Sequence, residues 1–149
     1  ADIESIRLRT ERYADTHGAP PRILLAPLGP PAARSARATF ARNFLGVAGF
    51  AIEEPLAFET VDDAAEAALD ADADVVVLCS SNSEYTDLAP TLAAALADRD
   101  HDAFLGVAGS PDDIDTGGHA DFFLHRNSSL KDTLTTLQND LGMSVQDDP

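Results

Sequence analysis

Residues 73–79, ADVVVLC, constrain the fold more than any other stretch of the chain. Three valines and a leucine run together without the polar alternation of a half-exposed strand. Their β-branched side chains favour extended backbone, so the segment predicts a strand covered on both faces. Such a strand needs helices above and below its sheet. The flanking sequence supplies them. Residues 2–16 read as a helix stopped by Gly18 and Pro20-Pro21, followed by a short buried strand, RILLA, at 22–26. After the turn PLGPPAARS, a helix places Ala36, Phe40, Phe44 and Val47 at helical spacing, with Arg34, Arg37 and Arg42 on other faces. GFAIEE reads as a second strand, and TVDDAAEAALDA as a helix capped by Thr60 with acids in its first turn. Residues 80–99 read as a polar turn and a long helix with Leu88, Leu92 and Leu96 in register, followed by strands AFLGVAG and ADFFLHR. The last helix, SSLKDTLTTLQNDLG, closes at Gly142, and MSVQDDP reads as a loose tail.

Five strand–helix alternations predict an α/β fold, a doubly wound five-stranded parallel sheet of flavodoxin-like order. Ligands of such folds sit at the carboxyl ends of the strands beside the topological switch point. That directs attention to residues 27–35, 80–84 and 108–118.

Charge narrows the partners. Twenty-six acidic residues against ten basic ones leave a net charge of −16, a field that repels phosphate backbones and anionic membranes. Nucleic acid and membrane surfaces are therefore not expected partners. The longest apolar run, around DVVVLC, falls far short of the roughly 20 residues that span a bilayer, and a cytoplasmic protein is expected. Acids spread through every segment suit a halophilic protein, because concentrated salt screens their mutual repulsion.

The residue types that carry chemistry are sparse. Cys79 is the single cysteine and ends the central strand, where a small buried apolar role is expected. His17, His101, His119 and His125 show no i, i+4 pair, and Asp112, Asp113 and Asp115 lack the Gly and distal Glu of a calcium loop. No metal site is expected. Ser80, Ser81, Asn82 and Ser83 could receive an anion at a helix start, but Ser81 or Ser83 as a cap explains the same residues. A phosphoacceptor receiver domain would need paired acids after the first strand and an Asp ending the third. Those places hold Pro27-Leu28 and Cys79.

The stretches IRLRTERYA, LLAPLGPPAARSARATFARNFLGVAGF, VVVLCSSNSEYTDLAP and FFLHRNSSLKDTLTTLQNDLG together resemble the C-terminal, cobalamin-binding-like domain of methylmalonyl-CoA mutase small (beta) subunits. The resemblance covers nearly the whole chain. It implies that residues 1–21 are a linker helix from a missing barrel domain, 22–143 the flavodoxin-fold domain and 144–149 a loose tail. A chain beginning at Ala1 without Met is then expected to be a fragment or processed piece. Cobalamin-binding members carry Asp-x-His-x-x-Gly in the first βα turn, the His reaching cobalt and the Asp orienting it. The resemblance aligns those positions with Pro31, Ala33 and Ala36, none of which can serve. It places a residual crevice at Ser80, Ser81, Gly109 and Ser110, with Gly109-Ser110 where binding members have Gly-Gly. The implied function is a non-catalytic domain with no cofactor of its own. Its implied partner, the mutase large subunit, would hold adenosylcobalamin and interconvert methylmalonyl-CoA and succinyl-CoA. Arg34, Arg37 and Arg42, the one basic cluster, are the candidate partner contacts. A free-standing domain that still binds cobalamin or another nucleotide-tailed ligand, or an assembly module for an acyl-CoA mutase, are the alternatives.

If the acidic surface is matched to salt, the denaturation midpoint of the chain rises between low and molar KCl. A midpoint that stays level or falls contradicts that reading.

Overall fold

A computed structural model of the chain describes residues 3–125 and 129–143. Its elements in chain order are α1 (Ile3–His17), β1 (Arg22–Pro27), α2 (Pro31–Gly46), β2 (Ala51–Glu53), α3 (Val61–Ala71), β3 (Val75–Cys79), α4 (Asn82–Asp98), β4 (Phe104–Ala108), β5 (Phe122–Leu124) and α5 (Leu130–Asp140). The strands form one parallel sheet in the order β2-β1-β3-β4-β5. The chain steps outward from β1 to β2 and then crosses back to β3, so the switch point lies between β1 and β3. This is the predicted flavodoxin-like architecture.

β3 is buried at every position, and the pleat sends its side chains alternately into two layers. Val75, Val77 and Cys79 join Ile23 and Leu25 beneath α1, α2 and α5, which contribute Ile6, Ala41, Leu45 and Leu134. Val76 and Leu78 join Leu24 and Ala26 on the opposite side, covered by Ala64, Ala68, Leu92 and Leu96 of α3 and α4. Thr60 caps α3 as expected, its hydroxyl accepting from the Asp63 N–H at 3.1 Å. Gly18 ends α1 with φ +90°, and its N–H bonds the Ala14 carbonyl at 2.8 Å.

Three local expectations need correction. First, α2 starts at Pro31, inside the segment read as a turn, because proline at the first helical position has its φ already set and no N–H to lose. Its buried stripe is Ala38, Ala41, Phe44 and Leu45, while Phe40 and Val47 are only partly covered and Ala36 is exposed. Second, Ser81 occupies the N-cap position of α4 but makes no capping bond. Its hydroxyl instead lies 3.4 Å from that of Ser83. Third, Met143, read as the start of a loose tail, is buried, with its N–H on the Gln138 carbonyl at 2.9 Å. The tail proper, 144–149, lies outside the described residues.

α1 is fastened to the domain. Ile6 is fully buried in the core, and the Gln138 amide of α5 donates to the Ile6 carbonyl at 2.7 Å and to the Thr10 hydroxyl at 3.0 Å. Both bonds are buried, where a lost partner is costly. Gln138→Met, which keeps the volume, is expected to cost about 1–3 kcal/mol in denaturant titration. No measurable loss would mean that α1 is not held through this amide.

Candidate functional site

The carboxyl ends of β1 and β3 are drawn together by the chain that leaves them. The Leu28 N–H donates to the Cys79 carbonyl at 3.1 Å, and the Leu28 side chain is buried. Gly29 then turns with φ +82° directly over Ser80, where a Cβ would stand 2.6 Å from the Ser80 hydroxyl oxygen. Only glycine takes this φ at such close approach without strain. Ser80 itself is fully buried, and its hydroxyl has no hydrogen-bond partner among the described residues.

From the other side Tyr85, in the first turn of α4, swings into the same space and is fully buried. Its hydroxyl donates to the Ala108 carbonyl at 2.7 Å and accepts from the Ser80 N–H at 2.8 Å. One phenol therefore joins the ends of β3 and β4. Burial pushes its pKa well above the ordinary tyrosine range, an effect partly offset by the Ser80 N–H. Burial likewise pushes the Cys79 thiol up to about 12, so at neutral pH it is a packed thiol and not a nucleophile.

Arg37 of α2 completes the arrangement. Its guanidinium donates to the Ala108 carbonyl, to Asn82 Oδ1 at 3.0 Å and to the Tyr85 hydroxyl at 3.5 Å, and lies 5.9 Å from the centre of the Tyr85 ring. A Cβ at Gly109 would meet Arg37 Nη1 at 2.8 Å and run into Ile114 Cδ1, which explains glycine at that position. Arg37, Tyr85 and Asn82 thus tie α2, α4 and β4 across the carboxyl face of the sheet.

The structure separates the predicted residues. Pro31, Ala33 and Ala36 lie in the first two turns of α2, and none carries a side chain able to ligate a metal. Ser80 is sealed under Gly29, and Ser81 is partly exposed at the start of α4. Gly109 and Ser110 share a pocket of about 330 Å³ with Ala36 and Arg37. Of the basic cluster, Arg34 donates to the Gly29 carbonyl at 3.1 Å and Arg42 lies 3.4 Å from Glu54, while Arg37 turns inward. His119 and His101 line a larger cavity, about 570 Å³, at the opposite, amino ends of the strands, and His125 lines the smaller one. Asp115 accepts from the Gly117 N–H at 2.9 Å, and Ser110 from that of Asp112 at 3.3 Å. Among the described residues no three His, Cys, Asp or Glu side chains group as a metal site would require, and no helix is long and apolar enough to cross a membrane.

Sequence reasoning missed Tyr85 and the inward turn of Arg37. Tyrosine four residues after a helix start, beside a strand end, was the available signal. Tyr85→Phe should cost about 1–3 kcal/mol in denaturant titration, because it strands the buried Ser80 N–H. A loss below about 0.5 kcal/mol, typical of unconnected surface changes, would mean that the bridge does not hold the strand ends.

Comparison with known proteins extends this geometry. No family model matches the chain. It is 34% identical over 143 residues to the methylmalonyl-CoA mutase small subunit of Porphyromonas gingivalis, an alignment covering 96% of this chain and 22% of that protein. It is 38% identical over 94 residues to the methylmalonyl-CoA mutase small subunit of Streptomyces virginiae, covering 62% of this chain and 15% of the relative. The chain therefore spans about a fifth or less of the length of these curated relatives. A crystal structure of a cobalamin-binding protein from Desulfitobacterium hafniense superposes with a TM-score of 0.60 at 15% identity, over 93% of this chain and 71% of that one. At that identity the likeness is one of fold. The resemblance carried by the sequence motifs to the cobalamin-binding-like domain of mutase small subunits therefore holds along nearly the whole chain.

Proposed function

We propose that this chain, similar along its length to a segment of methylmalonyl-CoA mutase small subunits, is a cobalamin-binding-like domain that holds no cobalamin and performs no chemistry. On this reading it supports a heterodimer whose large subunit carries adenosylcobalamin and interconverts methylmalonyl-CoA and succinyl-CoA. The domain then acts as architecture, with residues 1–21 as the connection from a preceding barrel. The exposed face of α2, bearing Arg34 and Arg42, is its candidate partner contact. A short arginine-bearing surface in a chain of net charge −16 suits a carboxylate-bearing partner.

One observation carries the reading: the helix start where an axial imidazole would be needed presents Pro31, Ala33 and Ala36. Cobalt ligation by protein needs a nitrogen or sulfur donor held by a second group. These positions offer methyl groups and a proline ring. The residues present do not fit a corrinoid bound through a protein imidazole. The Arg37–Tyr85–Asn82 ties across the carboxyl face add to the misfit.

Titration of the purified chain with hydroxocobalamin and adenosylcobalamin, followed by absorbance and calorimetry in high salt, tests the reading. No heat and no spectral change are expected up to 100 μM ligand, about 100-fold above a micromolar Kd. Saturable micromolar binding would overturn it. A visible spectrum with the cofactor's own base still on cobalt would then favour the free-standing carrier.

A further inference from the structure

The pocket beside Arg37 is not needed for the architectural role, and its chemistry points to a ligand. We infer that it is a binding site for a small organic carboxylate with a compact apolar body, anchored by the Arg37 guanidinium. The pocket holds about 330 Å³ between α2 and the ends of β4 and β5. Phe40, Ala36 and Leu124 give it apolar walls, and Arg37, Asn82, Ser110 and His125 bring polar groups to it. An apolar cleft with a few convergent polar groups is the ordinary form of a small-molecule site.

The guanidinium decides the class. Of its five N–H groups, three are engaged, with the Ala108 carbonyl, the Tyr85 hydroxyl and Asn82 Oδ1. All three acceptors are neutral. Among the described residues no carboxylate lies within ion-pair distance of Arg37, whereas Arg42 and Arg99 both have acidic partners. Among the described residues Nε–H and one hydrogen of Nη2 have no partner, and a guanidinium with donors to spare can grip a carboxylate in two-point fashion. Asp113, exposed, also lines the pocket and works against any anion there. It is the one acid among the lining residues, and it leaves the Arg37 charge unpaired. The three internal bonds fix the side chain, so little rotamer freedom remains to be lost on binding. Phosphate-bearing ligands fit less well, because among the described residues Arg37 is the one arginine or lysine lining the pocket.

The experiment uses benzoate as the probe and benzamide as its neutral isostere, added to the ¹⁵N-labelled chain at fixed ionic strength. The readout is the Nε–Hε resonance of Arg37 in a proton–nitrogen correlation spectrum. Benzoate is expected to shift it saturably with a Kd on the order of 1 mM, the range for a fragment of this size. Benzamide should leave it in place. Substituting Arg37 risks unfolding, so the control is Ala36→Trp. This fills the pocket from the exposed side of α2, and it should abolish the benzoate shift while leaving the starting resonance and the melting temperature near their original values. No saturable shift with benzoate, an equal shift with benzamide, or a shift that persists in Ala36→Trp would each overturn the assignment. None of these outcomes depends on cobalamin, so the site and the architectural reading fail separately.

Discussion

The carbonyl of Ala108, at the last residue of β4, is the point on which the carboxyl face of the sheet depends. It accepts from the Tyr85 hydroxyl of α4 and from the Arg37 guanidinium of α2, helices that lie on opposite faces. The same phenol caps the Ser80 N–H at the end of β3. A parallel sheet leaves the carbonyls at its strand ends without partners unless a ligand, water or another part of the chain provides them. Here side chains from both helical layers satisfy the Ala108 carbonyl, and backbone N–H groups satisfy those of Pro27, Cys79 and Leu124. At the ends of β3 and β4, the edge that a ligand would face in a doubly wound protein is tied to its own covering helices.

A buried or half-buried arginine with neutral partners is unusual, since desolvating a charge is expensive without compensation. Two features make it tolerable. The acceptors are fixed by backbone and by a phenol that is itself buried, so the hydrogen bonds cost little further ordering. The surrounding chain carries a net charge of −16, which lowers the energy of a positive charge anywhere inside its field. The acidic composition, read first as a property of the surface, thus also bears on how the crevice is organised.

Much of the architecture was legible because it rests on short-range physics. The unbroken apolar run at 75–79 demanded cover on both faces, Thr60 stood before an alanine-rich amphipathic segment, and Gly18 stood where a helix had to end. The absence of Asp, His and Gly from Pro31, Ala33 and Ala36 was equally plain. What was not legible depended on contacts between distant segments. By spacing alone Arg37 reads as a helix-surface arginine, because helical spacing cannot tell that the first turns of α2 look across the end of the sheet. Ser81 had the residue type of a cap, but its hydroxyl lies toward Ser83. Met143 reads as tail in the sequence, but its N–H bonds the Gln138 backbone carbonyl past the end of α5 and its side chain is buried.

On the proposed reading this fold is kept although no cobalamin is held in it. The most direct measurement is the cobalt content of the assembled pair. On the proposed reading, a mutase small subunit carrying this chain would be mixed with a large subunit and excess adenosylcobalamin, the pair isolated by size exclusion and its cobalt counted by mass spectrometry. One cobalt per pair is predicted, all of it on the large subunit after the chains are separated. Two per pair, or cobalt that travels with the small subunit, would contradict the account.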